Sequence, residues 1–336
     1  HGSSPDVGIA GYSLGGGNGW YARQLGLAAN HVTAAEVVIG DGTIVRADAD
    51  HDPELLWALR GGGGSFGVVT ALEFSLFEIP SAYAGLMVFD ISRAEEVLRR
   101  WSTWAVEAPD QVTASFRVLH LPPLPDLPAF LEGRSVVVID GAVLASDDRA
   151  DRILAGLRSL KPELDTFLRV PAASLTRLHM DPEGSGSGIS GTAMIRELPE
   201  AGIDAFLSAV GDRTSTSLMM GELRQLGGAL SHPADGGGAV SHFDGQFLAF
   251  GGGPVMSPEV ALQVGADAAA FTRALAPWTG GRTYLNFVED AVDTRQGYDE
   301  LTWRRLSGIR SAVDPNGVFA ANHQVPRLYE DGRPSR

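Results

Sequence analysis

Hydrophobic and polar positions change rhythm along the chain. Ala34–Gly40 and Thr43–Ala47 alternate over short runs and predict two strands, joined at Asp41-Gly42, a pair suited to the left-handed backbone of a hairpin turn. Asp52-Pro53 opens a short helix over Glu54–Arg60, because proline lacks only an N–H that the first turn does not use. Gly61–Gly64 ends that helix, and Val68–Phe77 predicts a further strand. Beyond residue 80 the period switches repeatedly. Arg93–Ala105 puts Val97, Leu98, Trp101, Trp104 and Ala105 on one helical face, and Asp147–Leu160 does the same with Ile153, Leu154, Leu157 and Leu160. Pro258–Leu275 predicts another helix. Ser135–Leu144, interrupted by Asp140, predicts a buried strand, and Ser217–Leu223 and Gln246–Phe250 also read as strands. Breaks fall at Leu121–Pro128, Asp181–Gly188 and Pro233–Gly238. Such alternation suits an antiparallel sheet with helices on one side. Near the end, Tyr284-Leu285-Asn286-Phe287 predicts a strand with Tyr284 and Asn286 on one face. A helix over Leu301–Val313 and a turn at Asp314-Pro315-Asn316-Gly317 follow, and the Arg-rich tail after Pro326 is expected to fray. The texture divides the chain at 1–79, 80–283 and 284–336.

Composition narrows the function. The 336 residues are 44% hydrophobic and 20% charged, an ordinary globular balance. A net charge of −15 opposes a phosphate-neutralising surface, so nucleic acid is not an expected partner. No apolar run reaches the roughly 18–20 residues that span a bilayer. There is no cysteine, which excludes disulfides, thiol catalysis and cysteinyl cofactor links, and leaves the cellular compartment undetermined. Lys161 is the one lysine beside 25 arginines, so a Gly-Lys-Ser/Thr phosphate loop is absent. The arginine bias and abundant alanine point to a GC-rich, bacterial genome. The chain starts at His1 and runs straight into a Gly-rich stretch, so a natural N-terminal part is expected to be missing.

Two glycine-rich loops carry the candidate chemistry. Gly11-Tyr12-Ser13-Leu14-Gly15 matches the nucleophile elbow of serine hydrolases, with Ser13 as nucleophile, but an elbow needs a helix after the serine. Gly15-Gly16-Gly17-Asn18-Gly19 follows instead, and the glycines of Gly11–Gly19 argue against helix. Gly62-Gly63-Gly64-Ser65-Phe66-Gly67 matches the dinucleotide fingerprint G-x-G-x-x-G, yet lies between a helix and a strand, the reverse of the required order. Both loops expose bare backbone that can turn with positive φ and gather N–H groups into an anion nest. Together they could line a long anionic ligand, or be only tight turns. The histidines do not cluster, and His179-Met180-Asp181-Pro182-Glu183 reads as a solvated acidic loop rather than a metal site. Glu222 and Arg224 share a strand face and predict an ion pair, with Arg224 and Gln225 also possible pocket residues.

Taken in order, several segments resemble the berberine-bridge-enzyme-like FAD-linked oxidases of the vanillyl-alcohol-oxidase/p-cresol-methylhydroxylase superfamily. They are Ser4 to Trp20, Arg23-Gln24-Leu25-Gly26-Leu27, Ala35-Glu36-Val37-Val38, Asp52 to Thr70, Tyr284-Leu285-Asn286-Phe287, Asp314 to Phe319 and Asn322-His323-Gln324-Val325. The resemblance implies an α+β fold: the C-terminal part of a p-cresol-methylhydroxylase-type FAD-binding domain plus an antiparallel-sheet substrate domain flanked by helices, the last segment returning to the FAD domain. It implies FAD as cofactor, held by Ser4, Val7, Gly8, Gly11, Gly15, Gly16, Gly17, Gly19, Val38, Gly67, Val69, Asn286 and Asn322, with the pyrophosphate in the backbone nests. It also implies a small alcohol or sugar-like substrate that loses its hydroxyl proton to Tyr284 while hydride passes to the flavin. Val7 stands where a small residue admits oxygen, implying oxygen as acceptor and hydrogen peroxide as product. Three departures stand out. Ser4 replaces the cysteine of bicovalent members. Phe287 replaces a second tyrosine, tied in several members to proton abstraction, which leaves the assignment of the base to Tyr284 open. The family's N-terminal part, with its flavin-linking histidine, is absent. A non-catalytic relative acting as a binding module is the alternative reading.

Overall fold

The computed structural model describes residues 1–123, 131–181 and 186–328. The breaks predicted at 121–128 and 181–188 fall largely outside these residues, as does the end of the Arg-rich tail. Among the described residues there are two antiparallel sheets.

The first third begins with two short helices, α1 (Ile9–Leu14) and α2 (Ala22–Leu25). A three-stranded sheet follows, built from β1 (Val32–Val38), β2 (Ile44–Ala47) and β3 (Val68–Phe74), with helix α3 (Pro53–Leu59) between its second and third strands. The hairpin forms where the alternation placed it, with Gly42 at φ 86° in the turn. At the head of α3 the Asp52 carboxylate accepts the Leu55 N–H at 3.1 Å, the cap implied by Asp52-Pro53. The glycine content of Gly11–Gly19 predicted no helix, whereas α1 runs to Leu14. Six residues need little intrinsic propensity when the segment is packed, as Leu14 is against the core beneath β1 and α3.

An eight-stranded sheet makes up the middle of the chain: β4 (Ser81–Asp90), β5 (Val112–His120), β6 (Ser135–Val143), β7 (Leu164–Asp165), β8 (Leu168–Pro171), β9 (Gly188–Ile195), β10 (Met220–Gln225) and β11 (Phe247–Pro254). Its path runs β7-β4-β6-β5-β10-β11-β9, with β8 also paired to β4. Helices α4 (Ala94–Glu107), α5 (Asp147–Arg158), α6 (Glu200–Val210) and α7 (Pro258–Leu275) contribute to one core. There Trp101, Leu154, Phe206 and Phe271 meet Phe89, Phe116, Ile139, Leu223 and Phe247 from the strands. The predicted inward residues of α4 and α5 are buried, except Trp104 and Leu160, which are half-buried at the edge. The observed arrangement is α+β, as the alternation of elements required.

Because strand side chains alternate, residues next to those core positions point to the other face. Ser115 and Arg117 on β5, Asp140 on β6, and Glu222 and Arg224 on β10 therefore gather there. The register sets Glu222 opposite Arg117, and Ser115 opposite both Asp140 and Arg224. This face is buried as well, so the strands read as unbroken buried runs. The last helix, α8 (Glu300–Val313), packs Trp303 and Leu306 into the core beneath the small sheet.

Candidate active site

Tyr284 and Asn286 lie in a 3-10 turn over Leu285–Phe287, not in a strand, yet they still meet. The turn carries both side chains into the Gly15–Gly19 bend. Gly17 and Asn18 donate their backbone N–H groups to Tyr284 Oη at 3.0 and 3.2 Å, and Asn286 Nδ2 donates to it at 3.3 Å. Asn286 is held in turn by the Tyr12 carbonyl at 2.9 Å. Only glycine allows this approach: a Cβ on Gly15 would lie 1.7 Å from Asn286 Oδ1, and one on Gly16 would lie 3.1 Å from the Tyr284 ring. The bend does gather backbone N–H donors, but the phenol oxygen of Tyr284 engages those of Gly17 and Asn18, so they are not left open for a pyrophosphate. Tyr284 is buried between Phe243 and Phe287. Burial pushes its hydroxyl pKa up, and the donors from Asn286, Gly17 and Asn18, with the Arg224 charge, oppose this without cancelling it.

Beside Tyr284 lies a cavity of about 520 Å3, lined by Gly2, Ser3, Val7, Gly8, Gly11, Tyr12, Asn18, Arg224, Phe250, Tyr284, Asn286, Phe287 and Glu289. That size is within the range of small-molecule sites. Gly8 and Gly11 are three apart at the start of α1, and a Cβ on either would meet nothing within 4 Å. They present bare backbone to open space. The side chain of Asn18 is buried, and neither Nδ2 nor Oδ1 has a hydrogen-bond partner.

The polar face of the large sheet borders the cavity through Arg224. Its Nε and NH2 donate to the two oxygens of Glu222 at 3.0 and 3.2 Å, the ion pair expected from their shared strand face. Arg224 NH2 also lies 3.2 Å from His179 Nε2. His179 Nδ1 is 3.1 Å from Asp140 Oδ2, which also accepts from Arg117. The Asp140 carboxylate facing Nδ1 and the Arg224 N–H facing Nε2 suit a proton on Nδ1. His179 is 5% exposed and sits against Trp20, so the expectation of a solvated acidic loop is corrected at this residue. Pro182 and Glu183 lie outside the described residues. Burial pushes the Glu222 carboxyl up, but Arg224, His179 and Arg117 outweigh it and hold it at about 2. Gln225 points to the opposite face, where it bonds Ala114 N and Ala105 O and is no pocket residue.

The other expected ligand-binding residues separate. Val7, Gly8, Gly11 and Asn286 share the cavity with Tyr284. Gly17 and Gly19 line a second cavity of about 460 Å3 with Ile9, Leu25, Phe74 and Phe77. Ser4 does not line the first cavity; Ser3 does, because consecutive side chains in an irregular turn point apart. Val38, Gly67 and Val69 belong to the pairing of β1 with β3, where Gly67 lies so close to Val37 and Val38 that a Cβ would fall 2.5 Å from Val37 Cγ1. Asn322 lines a third cavity of about 850 Å3 with Arg310 and Gln324. The two glycine loops meet, Gly61 N–H donating to the Leu14 carbonyl at 2.9 Å and Gly15 and Gly61 lining one small pocket, but no residue of Gly61–Gly67 lines the cavity beside Tyr284. Ser13 is 0% exposed and its hydroxyl has no partner, so it lacks the base a nucleophile requires. This removes the serine-hydrolase reading.

No protein-family model matches the chain. It is 44% identical over 80 residues to a xylooligosaccharide oxidase of Thermothelomyces thermophilus, covering 24% of this chain and 16% of that protein. It is 39% identical over 106 residues to an uncharacterised FAD-linked oxidoreductase of Bacillus subtilis, covering 31% of this chain and 24% of that protein. The matched segments thus span less than a quarter of these relatives, which come from a fungus and a bacterium alike. Among solved structures, BBE-like 1 of Physcomitrella patens superposes with a TM-score of 0.81 at 19% identity, covering 98% of this chain and 72% of that one. The berberine bridge enzyme itself, as a variant, superposes with a TM-score of 0.81 over the same shares. The chain therefore has the berberine-bridge-enzyme-like fold and is a sequence relative of FAD-linked oxidoreductases.

Proposed function

We propose that this chain belongs to an FAD-dependent oxidase that oxidises a hydroxylated, sugar-like small molecule and passes the electrons to oxygen, giving hydrogen peroxide. The observation that carries the reading is the three-donor hole around Tyr284 Oη at the wall of a glycine-lined cavity. The residues present fit a flavin: Gly8 and Gly11 present bare backbone to open space, leaving room for a planar ring against them. Val7, Gly8, Gly11 and Asn286 would hold the ring. Bound there, the flavin supplies the hydride acceptor.

The chain's own residues do the proton chemistry. The hole gathers N–H donors at one oxygen, which eases ionisation of the phenol without cancelling the burial that raises its pKa, so the tyrosinate forms as pH rises into the alkaline range, with its free side to the cavity. As tyrosinate, Tyr284 Oη takes the proton of the substrate hydroxyl while the carbon-bound hydrogen leaves with its electron pair. Gly17, Asn18 and Asn286 keep the oxygen in place throughout. Val7, on the cavity wall, is small enough to leave oxygen a path.

The test is spectroscopic. Protein supplied with FAD should show bound-flavin absorbance, bleach with a sugar under anaerobic conditions, and recover colour in air with peroxide released. Gly11→Leu fills that open space at a position where α1 tolerates leucine, so it should keep the fold and lose flavin. Wild-type flavin binding in that variant would refute the placement, and reduced protein that stays bleached in air would refute the oxidase assignment.

A further inference from the structure

Arg224 is a cation that the proton chemistry above does not use, and it stands close to the group that does. Its guanidinium lies 5.2 Å from the centre of the Phe287 ring, and that ring lies 5.3 Å from the ring of Tyr284. Arg224 and Tyr284 line the same cavity. The guanidinium is fixed by its other neighbours. Nε and NH2 donate to Glu222 at 3.0 and 3.2 Å, and NH2 lies 3.2 Å from His179 Nε2. NH1 points to Ser3 on the cavity wall at 3.4 Å. Glu222 is buried and is not part of that wall. Of this pair of opposite charges, the guanidinium is therefore the end in contact with Phe287 and the cavity.

The other charged and titratable groups near Tyr284 have less hold on it. Tyr12, across the glycine bend, stays neutral because burial pushes its hydroxyl pKa up. His242, Asp244 and Arg282 share a small separate pocket with Tyr284, where Arg282 donates to Asp244 at 2.8 Å and lies 3.0 Å from His242. The side chains of Arg282 and Asp244 are 21% and 46% exposed, so water screens that pair. Those of Arg224 and Glu222 are 10% and 3% exposed, and their charges act through protein. Glu289, on the cavity wall, is exposed. Arg117 and Asp140 neutralise each other on β5 and β6, on the side of β10 away from Phe250 and Phe287. Burial raises the Tyr284 hydroxyl pKa, and the Arg224 charge is among the influences that oppose it.

We propose that Arg224 is a positioning residue for the oxidation, and that the Glu222–Arg224 pair sets the pH at which Tyr284 takes the substrate proton. The guanidinium favours the tyrosinate, and the carboxylate tempers the guanidinium. The pair as a whole is neutral, so removing either charge unbalances it in a direction fixed by the charge that remains. This rests on Tyr284 being the base of the proposed oxidoreductase. A unit charge about 10 Å away, at an effective dielectric of about 20, moves a titration midpoint by about one pH unit.

The test follows the ultraviolet tyrosinate absorbance of each protein against pH while its circular dichroism stays native. Subtracting the same protein carrying Tyr284→Phe isolates this one phenol. Arg224→Gln should move the Tyr284 midpoint up by about one pH unit, and Glu222→Gln should move it down. Arg224→Lys keeps the charge and should stay within about 0.3 pH unit of the wild type. The alkaline limb of the pH–rate profile of FAD-loaded protein should move in the same directions. A fold merely loosened by the substitutions would shift both glutamine variants the same way. A common sign of shift, no shift in either, or a lysine variant that moves as far as Arg224→Gln overturns the proposal. Glu222→Gln and Arg224→Lys carry the test if Arg224→Gln does not fold. The absorbance readout needs no flavin. Opposite shifts in protein that oxidises no sugar keep the charge pair and remove the oxidase reading, whereas sugar oxidation with an unmoved phenol does the reverse.

Discussion

Tyr284→Phe removes a single oxygen and leaves the ring between Phe243 and Phe287. Its cost can be worked out donor by donor. The Gly17 and Asn18 amides lose their acceptor, and the buried bend around them gives them no substitute in the protein. An unsatisfied buried donor costs about 1–3 kcal/mol, so two adjacent ones should lower unfolding free energy by about 2–4 kcal/mol after partial relaxation. Asn286 keeps the Tyr12 carbonyl and should add little. Urea denaturation reads this as a lower midpoint at unchanged slope. The same variant tests the chemistry. Burial raises the pKa of the Tyr284 hydroxyl, and a base acts only when ionised. The rate of the loaded wild-type enzyme should therefore climb with pH through the alkaline range instead of levelling near neutrality, and Tyr284→Phe should remove that climb. A stability loss under about 0.5 kcal/mol would refute the donor hole, since one buried donor alone should cost more. An unchanged alkaline limb in the variant would refute Tyr284 as base.

Arg23 donates to the Leu226, Pro109, Val112 and Ala108 carbonyls at 2.8, 3.0, 2.6 and 3.0 Å, tying α2 to the large sheet. Arg23→Met strands all four and should cost about 3–5 kcal/mol in denaturation. Arg305, by contrast, pairs with Glu54 on the surface and lies over Trp57, so Arg305→Ala should cost under about 1 kcal/mol in the same assay. Glu222 has a folded-state pKa depressed to about 2, so its contribution is complete above its ordinary carboxylate range and declines as pH falls through that range toward about 2. Denaturation at stepped pH should show that acid loss in the wild type and a shallower one in Glu222→Gln. If the slopes coincide, the cations around Glu222 do not hold it as described.

Elements whose signal lies within one turn or one strand were legible. The faces of α4 and α5, the Asp41-Gly42 hairpin and the Asp52 cap each depend on residues a few positions apart. The site was legible in composition and not in geometry. Tyr284, Asn286 and the glycines were readable as candidates, but the phenol occupying the nest depends on a contact spanning more than 260 residues. The break between Ser3 and Ser4 turns on backbone dihedrals in an irregular segment, which residue type does not specify. The ion cluster left one trace: Asp140 interrupts an otherwise apolar strand, and a charge there must find partners across the sheet. Its partners come from β5, β10 and a loop, so no spacing along the chain could name them.

Strand alternation explains why the cluster and the core coexist. β5 and β10 each send apolar side chains to the helices and polar ones to the other face, in strict turn. Moving β10 by one residue would bury Glu222 and Arg224 among Trp101 and Phe206 and expose Leu223 to the cavity. The apolar core thus enforces the register, and the register places Arg224 at the cavity wall. The same dependence acts in reverse at the glycine bend. There the tight turn requires missing side chains, and the room they leave is filled by Tyr284 and Asn286 from the far end of the chain. Stability and chemistry in this fold are therefore set by the same few contacts, and a substitution that loosens the bend must disturb both.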